Sequence, residues 1–157
     1  MVITMYVKKM LHQLAVAVNS AIDMLEQTPD ELLDWRPAEN KRPIRDMFVH
    51  LAVLCKADYY IMEGYSQEDM SEFYTQAQPF TKQDIKGYMR DSFSFLNEKV
   101  NNFTESQLRE EKPSYWGIVY TRFEWLLEIL SHYYHHRGQI HALLTVNGCS
   151  IDVKLFE

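Results

Sequence analysis

Apolar residues recur every three to four positions through four separate stretches of this chain, which commits most of it to amphipathic helix. The first stretch runs from about Tyr6 to Gln27, with Leu11, Leu14, Ala15, Val18, Ile22 and Leu25 on one stripe. The second starts at Pro43-Ile44 and runs to about Glu63 through Met47, His50, Leu54, Ala57 and Ile61. The third follows a cap at Thr81 to Asp84 and reaches about Phe103 through Ile85, Met89, Ser92, Leu96 and Val100. The fourth spans about Thr121 to Val146, with Trp125, Ile129, His132, His136, Ile140 and Leu143 inward, and stops at Asn147-Gly148. Four helices that must each hide one stripe predict an all-α four-helix bundle. The polar stretch from Gly64 to Phe80 allows a long crossover between helices two and three, with a short helix around Gln67 to Gln76. Those two helices then need not be antiparallel neighbours.

The connections carry their own signals. Thr28-Pro29-Asp30-Glu31 reads as a capping box with proline in the first helical position. Trp35-Arg36-Pro37 closes that short turn, because the residue before proline leaves the α region. A second connection, Thr104 to Trp116, is charged and carries Pro113. Strand-like alternation is weak, around Ile118 to Phe123 and Ile151 to Phe156. The 157 residues, 46% hydrophobic, fit one domain over residues 1–157 with a sizeable core. Lys8-Lys9 ahead of Leu11 to Ala21 imitates a signal peptide, but His12, Gln13, Asn19 and Ser20 interrupt the apolar run, which reads as a core helix. No stretch approaches the roughly 20 apolar residues that span a membrane.

Charge narrows the function classes. Sixteen basic against 22 acidic residues give a net charge of −6, which weighs against a nucleic-acid backbone binder. The longest basic cluster, Lys41-Arg42 with Arg45, is too small to suggest one. Cys55 and Cys149 cannot build a disulfide framework and suit a reducing, cytoplasmic setting. Neither belongs to a CxxC, and Cys55, in an apolar run, reads as an inert core thiol.

The chemistry lies in the histidines. His132 and His136 stand one turn apart on the inward stripe of helix four, and residues so spaced have Cβ atoms about 6 Å apart. His50 occupies the apolar face of helix two, in mid-helix. Each buried imidazole needs partners for both nitrogens, so three near the middle of one bundle are costly. A divalent cation satisfies three lone pairs at once and keeps open positions for water or substrate. His135 points about 100° away from His136, and His12 and His141 read as peripheral. Other metal chemistries fit less well. A zincin protease needs HExxH, but Tyr133 holds the glutamate position. A ferritin-like di-iron centre needs two Glu-x-x-His pairs, whereas Glu128 and His132 are four apart and helix two has no matching pair. A bis-histidine haem would leave the third histidine without a reason.

Trp35-Arg36-Pro37, then Ile44 to Leu51 with His50 inside it, then His132-x-x-x-His136-Arg137-Gly138-Gln139-Ile140, together resemble the DinB superfamily (DinB/YfiT-like proteins). The resemblance covers essentially the whole chain. It implies a four-helix bundle with His50, His132 and His136 as ligands of one divalent metal ion, zinc or nickel first and iron or manganese next. It also implies a homodimer and a small-molecule substrate. Members of that family are known or proposed as metal-dependent hydrolases and as thiol S-transferases or isomerases. The family name refers to damage-inducible expression, hence a stress-response role, and not to DNA binding.

A cation on three neutral imidazoles keeps its full charge and can lower the pKa of a bound water towards about 7, or deprotonate a bound thiol. The thiol route needs no protein base, and no carboxylate holds the zincin base position, so transfer of a low-molecular-weight thiol is favoured over hydrolysis. The rival expectation is a non-catalytic, stress-induced dimer that stores a structural metal or senses a ligand. Glu128 lies one turn before His132 and Asp46 one turn before His50, so either could orient an imidazole, and Glu128 could act as a base. Gln139 could bond a ligand, and Arg137 could hold an anionic substrate or simply form a surface salt bridge. Tyr60, Tyr133 and Tyr134 receive no role.

Overall fold

The structure is a computed structural model that describes residues 2–157, with side chains from Thr4 onward. Its helices are α1 (Val2–Gln27), α2 (Asp30–Leu33), α3 (Ile44–Met62), α4 (Gln67–Gln76), α5 (Lys82–Asn101), α6 (Glu105–Leu108) and α7 (Arg122–Val146). Two short strands, β1 (Glu111–Pro113) and β2 (Val119–Thr121), pair antiparallel with Lys112 opposite Tyr120. The expected all-α bundle is therefore formed by α1, α3, α5 and α7. The alternation near Ile118 marks β2, whereas Ile151 to Phe156 form no strand. No helix among the described residues is long and apolar enough to cross a membrane.

Packing sets the order α1, α5, α3, α7 around the bundle, since α1 and α3 each touch both α5 and α7. The long link through α4 thus joins neighbours, α3 and α5. The links that cross the diagonal are α1 to α3 and α5 to α7. The core carries Leu14, Leu25, Phe48, Leu54, Ile85, Leu96, Ile129 and Ile140, all fully buried. Each such side chain contributes about 1.5–3 kcal/mol relative to exposure. A smaller cluster of Ala57, Ile61, Met62, Met70 and Trp125 lies where α4 meets the bundle. Trp125 donates its indole N–H to the Lys112 carbonyl at 2.9 Å, which pins the hairpin to α7.

Helix ends follow their local chemistry. Ser66, Thr81, Thr104 and Thr121 cap α4, α5, α6 and α7, each in a reciprocal box with the residue three positions on. The box expected at Thr28 does not form. Pro29 itself takes the N-cap of α2, while the Thr28 hydroxyl donates back to the Met24 carbonyl at 2.7 Å. A hydroxyl already closing the last turn of α1 has no reach forward. Gly64, at φ +98°, ends α3, with its N–H on the Ile61 carbonyl and the Tyr65 N–H on the Tyr60 carbonyl. The Tyr60 and Tyr65 rings stack across this turn at 4.6 Å.

The deep face of α7 differs from the expected stripe. It runs through Trp125, Leu126, Ile129, Tyr133, Arg137, Ile140 and Leu144. His132 and His136 sit one residue before Tyr133 and Arg137, about 100° around the helix, and are half-buried. The expected stripe from Trp125 to Leu143 spans five whole turns and keeps its direction, so the difference is a rotation of the helix that turns Leu126, Tyr133, Arg137 and Leu144 to the core. That displacement puts the histidines at the bundle's edge rather than in its centre.

Candidate metal centre

Both helices that carry the histidines touch along their lengths, and the three side chains meet there. His50 Nε2 lies 3.4 Å from His132 Nε2. Ring centroids are 5.3 Å apart for His50 and His132, 4.5 Å for His50 and His136, and 4.8 Å for His132 and His136. One nitrogen of each lies within 4.8 Å of one nitrogen of the others. Two ligands at about 2.05 Å from a tetrahedral ion stand about 3.3 Å apart, so the 3.4 Å separation matches a shared cation. The His132 Nδ1 lies 2.8 Å from Asp58 Oδ2 and 3.5 Å from Glu128 Oε1. The His136 Nδ1 lies 2.8 Å from Gln139 Oε1. An imidazole that donates from Nδ1 presents a lone pair at Nε2, so both α7 histidines are held in the tautomer a metal requires. The donor set therefore fits a divalent ion.

Electrostatics favour the neutral, ligand-ready ring at His50 and His136 and the protonated ring at His132. Burial, then the neighbouring imidazoles His136 and His132 and the Arg42 charge, push His50 down to about 3, so it is neutral near pH 7. Burial pulls His136 down as well, partly offset by its bond to Gln139. Burial also lowers His132, but the hydrogen bond and charge of Asp58, with Glu128, outweigh it and hold His132 above its ordinary value. Glu128 is pushed up to about 7 by burial and by Asp58, against the opposing pull of His132. Two carboxylates this close share one favourable partner, the His132 ring.

The histidines line an open cleft of about 820 Å³, within the size range of small-molecule sites. Met47, Ala142 and Leu143 give it apolar walls, and Lys41 and Arg42 a basic rim. Glu128 and Asp58 stand at Nδ1 of His132 and are not among its lining residues.

Several expected neighbours fall elsewhere. Asp46 is exposed and lines a second cleft beside His50, and no hydrogen bond or ion pair among the described residues links it to a histidine. The acid that bonds an imidazole is Asp58, about two turns beyond His50, which the spacing argument overlooks. Its signal is a carboxylate inside the apolar run Leu51 to Ile61, where a buried charge needs a partner. Arg137 does not enter the cleft. It is only 4% exposed and donates to Ser20 Oγ at 2.9 Å and to the Leu155 carbonyl. Tyr133 is buried in the core, Tyr134 covers Arg137, and Tyr60 packs in the smaller cluster. His12 and His135 lie at the surface, as expected. Cys55 is fully buried, and desolvation pushes its thiol well up, as suits an inert core residue.

The chain is thus a four-helix bundle that gathers three imidazoles from two facing helices, a cluster that could hold a metal ion. The DinB superfamily model matches residues 13–140, and the chain belongs to that superfamily. A structure described as a putative member of the DinB family, from Exiguobacterium sibiricum 255-15, is similar at a TM-score of 0.85 and 28% identity, covering 96% of this chain and 97% of that one. A DinB-like protein of Bacillus subtilis, YjoA, gives a TM-score of 0.71 at 16% identity, with 95% and 97% covered. Another DinB-like protein, from Bacillus cereus ATCC 10987, gives 0.72 at 17%, with 94% and 96% covered. No curated protein matches the chain.

Proposed function

We propose that this protein is a metal-dependent enzyme in which His50, His132 and His136 hold one divalent ion and a low-molecular-weight thiol is delivered to a small electrophile. The observation that carries the reading is the convergence of three imidazoles on the floor of an open cleft. When bound there, a divalent ion supplies Lewis acidity that lowers the pKa of a coordinated thiol or water. Asp58 and Gln139 fix the ring orientations by accepting the two Nδ1 protons. The apolar walls partly exclude water from the reacting ends. No lining residue of the cleft is a carboxylate, so no base stands ready for water, and a thiol needs none. Zinc or nickel suits three imidazoles best, with iron or manganese next. The proposal includes a homodimer and a cytoplasmic setting.

A second reading, hydrolysis, draws on Glu128, whose carboxyl is pushed up to about 7 and could exchange a proton at working pH. Its place at Nδ1 of His132, rather than along the cleft, weighs against it. Metal content of wild type and His132→Ala by mass spectrometry tests the foundation. Near-stoichiometric metal in the wild type, lost in the variant, is expected. Thiol-dependent consumption of an activated aryl halide, set against hydrolysis of an aryl ester, then separates the two chemistries. Metal without either turnover would favour a non-catalytic metal-binding or ligand-sensing protein, and no metal after reconstitution would end the proposal.

A further inference from the structure

The basic cluster noted in the sequence divides in the structure. Arg45 is committed: it bonds Asp34 Oδ1 at 3.1 Å and the Phe80 carbonyl at 2.9 Å, and its guanidinium lies over the Phe80 ring. Lys41 and Arg42 take part in no ion pair among the described residues, and both line the histidine cleft. Their loop is held in place. The Lys41 N–H donates to the Ala38 carbonyl at 3.0 Å, the Ile44 N–H donates to the Trp35 carbonyl at 3.0 Å, and Trp35 packs on the core. The Trp-Arg-Pro element thereby builds a wall of the cleft, since Pro37 lines it too.

The charges around this wall are one-sided. In a chain of net charge −6, none of the cleft's lining residues is acidic. Asp46 lines the neighbouring cleft, which Arg42 also borders.

We propose that the cleft takes a small amphipathic organic anion, its carboxylate or phosphate held by Lys41 and Arg42 and its apolar part against Met47, Ala142 and Leu143. The reactive end of that molecule would reach the histidines, and only this last point rests on the metal-dependent reading above. Cations without ion-pair partners at the rim of an apolar cleft attract an anion and retain it through charge-assisted hydrogen bonds. The guanidinium fork suits either oxyanion. A bound metal ion would also draw anions, so the share contributed by the loop must be measured separately.

Cobalt(II)-loaded protein is titrated with 3-mercaptopropionate and with its neutral amide, following the thiolate-to-cobalt absorption band. Metal-free protein is titrated in parallel with benzoate and benzamide by calorimetry. Both pairs are run on wild type and on K41Q/R42Q, with cobalt uptake recorded for each. Displacement of benzoate by acetate or by inorganic phosphate tells carboxylate from phosphate recognition. The wild type is expected to prefer the anion of each pair by roughly tenfold, less at high salt, and the variant to bind benzoate and benzamide almost equally. Equal preference in wild type and variant, or none in wild type, overturns the anion site. Failure to take up cobalt overturns the metal reading instead, and the benzoate pair then decides this inference alone.

Discussion

His132 joins two groups of side chains that the sequence keeps far apart. Its Nε2 faces His50, and its Nδ1 faces Asp58 at 2.8 Å. Asp58 is only 7% exposed, so its bond to the imidazole is what makes its burial tolerable. If Asp58 orients His132 for a metal, Asp58→Ala should lower divalent-ion affinity about 10–100-fold in chelator competition. Asp58→Asn should lower it less, because the amide oxygen still accepts the Nδ1 proton. Unchanged affinity in the alanine variant, with only a lower melting temperature, would reduce Asp58 to a packing residue. Spacing along one helix points to Asp46 instead. It cannot see that Asp58 reaches an imidazole on another helix.

Among the elements, two glycines make opposite demands. Gly138 lies inside α7, and a Cβ there would meet nothing within 4 Å. Gly138→Ala should therefore stabilise the metal-free protein by about 0.5–1 kcal/mol in urea unfolding, by removing backbone freedom from the unfolded chain. Gly64 also has open space around it, but its φ of +98° is a conformation L residues rarely adopt. Gly64→Ala should cost about 1–2 kcal/mol by the same measurement. Destabilisation by Gly138→Ala would show that another surface packs against that face of α7. In the sequence Gly64 only opens the polar link after helix two, and Gly138 only belongs to the His-Arg-Gly-Gln run. The dihedral angle separates them.

Across the molecule, Arg137 ties together parts that no local pattern connects. From α7 it reaches Ser20 on α1 and the Leu155 carbonyl in the C-terminal tail, and it lies over the Tyr134 and Phe156 rings. The Gln27 side chain adds a second tie to the tail, donating to the Asp152 carbonyl at 3.0 Å and accepting its N–H at 2.8 Å. At the other end Arg122, on α7, bonds Glu63 beyond α3 and Glu110 before the hairpin. Arg137→Ala should destabilise the fold by about 2–3 kcal/mol, because it strips partners from buried groups. Metal uptake should survive, since the side chain points away from the cleft. Loss of metal in a folded Arg137→Ala protein would mean that the tail helps set His136.

Periodicity alone dictates the four long helices and their class of fold, because burying one stripe per helix leaves few other arrangements. The three histidines are legible for the same reason: polar rings recurring on largely apolar faces demand a common partner. Which face of α7 lies deepest is not legible, because a rotation of this 25-residue helix about its axis by less than one residue's step of about 100° moves a residue from core to edge. Nor does any local pattern place Asp58 at His132, send Arg137 to the tail, or turn Lys41 and Arg42 towards the cleft while Arg45 is tied elsewhere. Those pairings depend on distances between helices remote in sequence. They exist only once the bundle has packed in the order α1, α5, α3, α7.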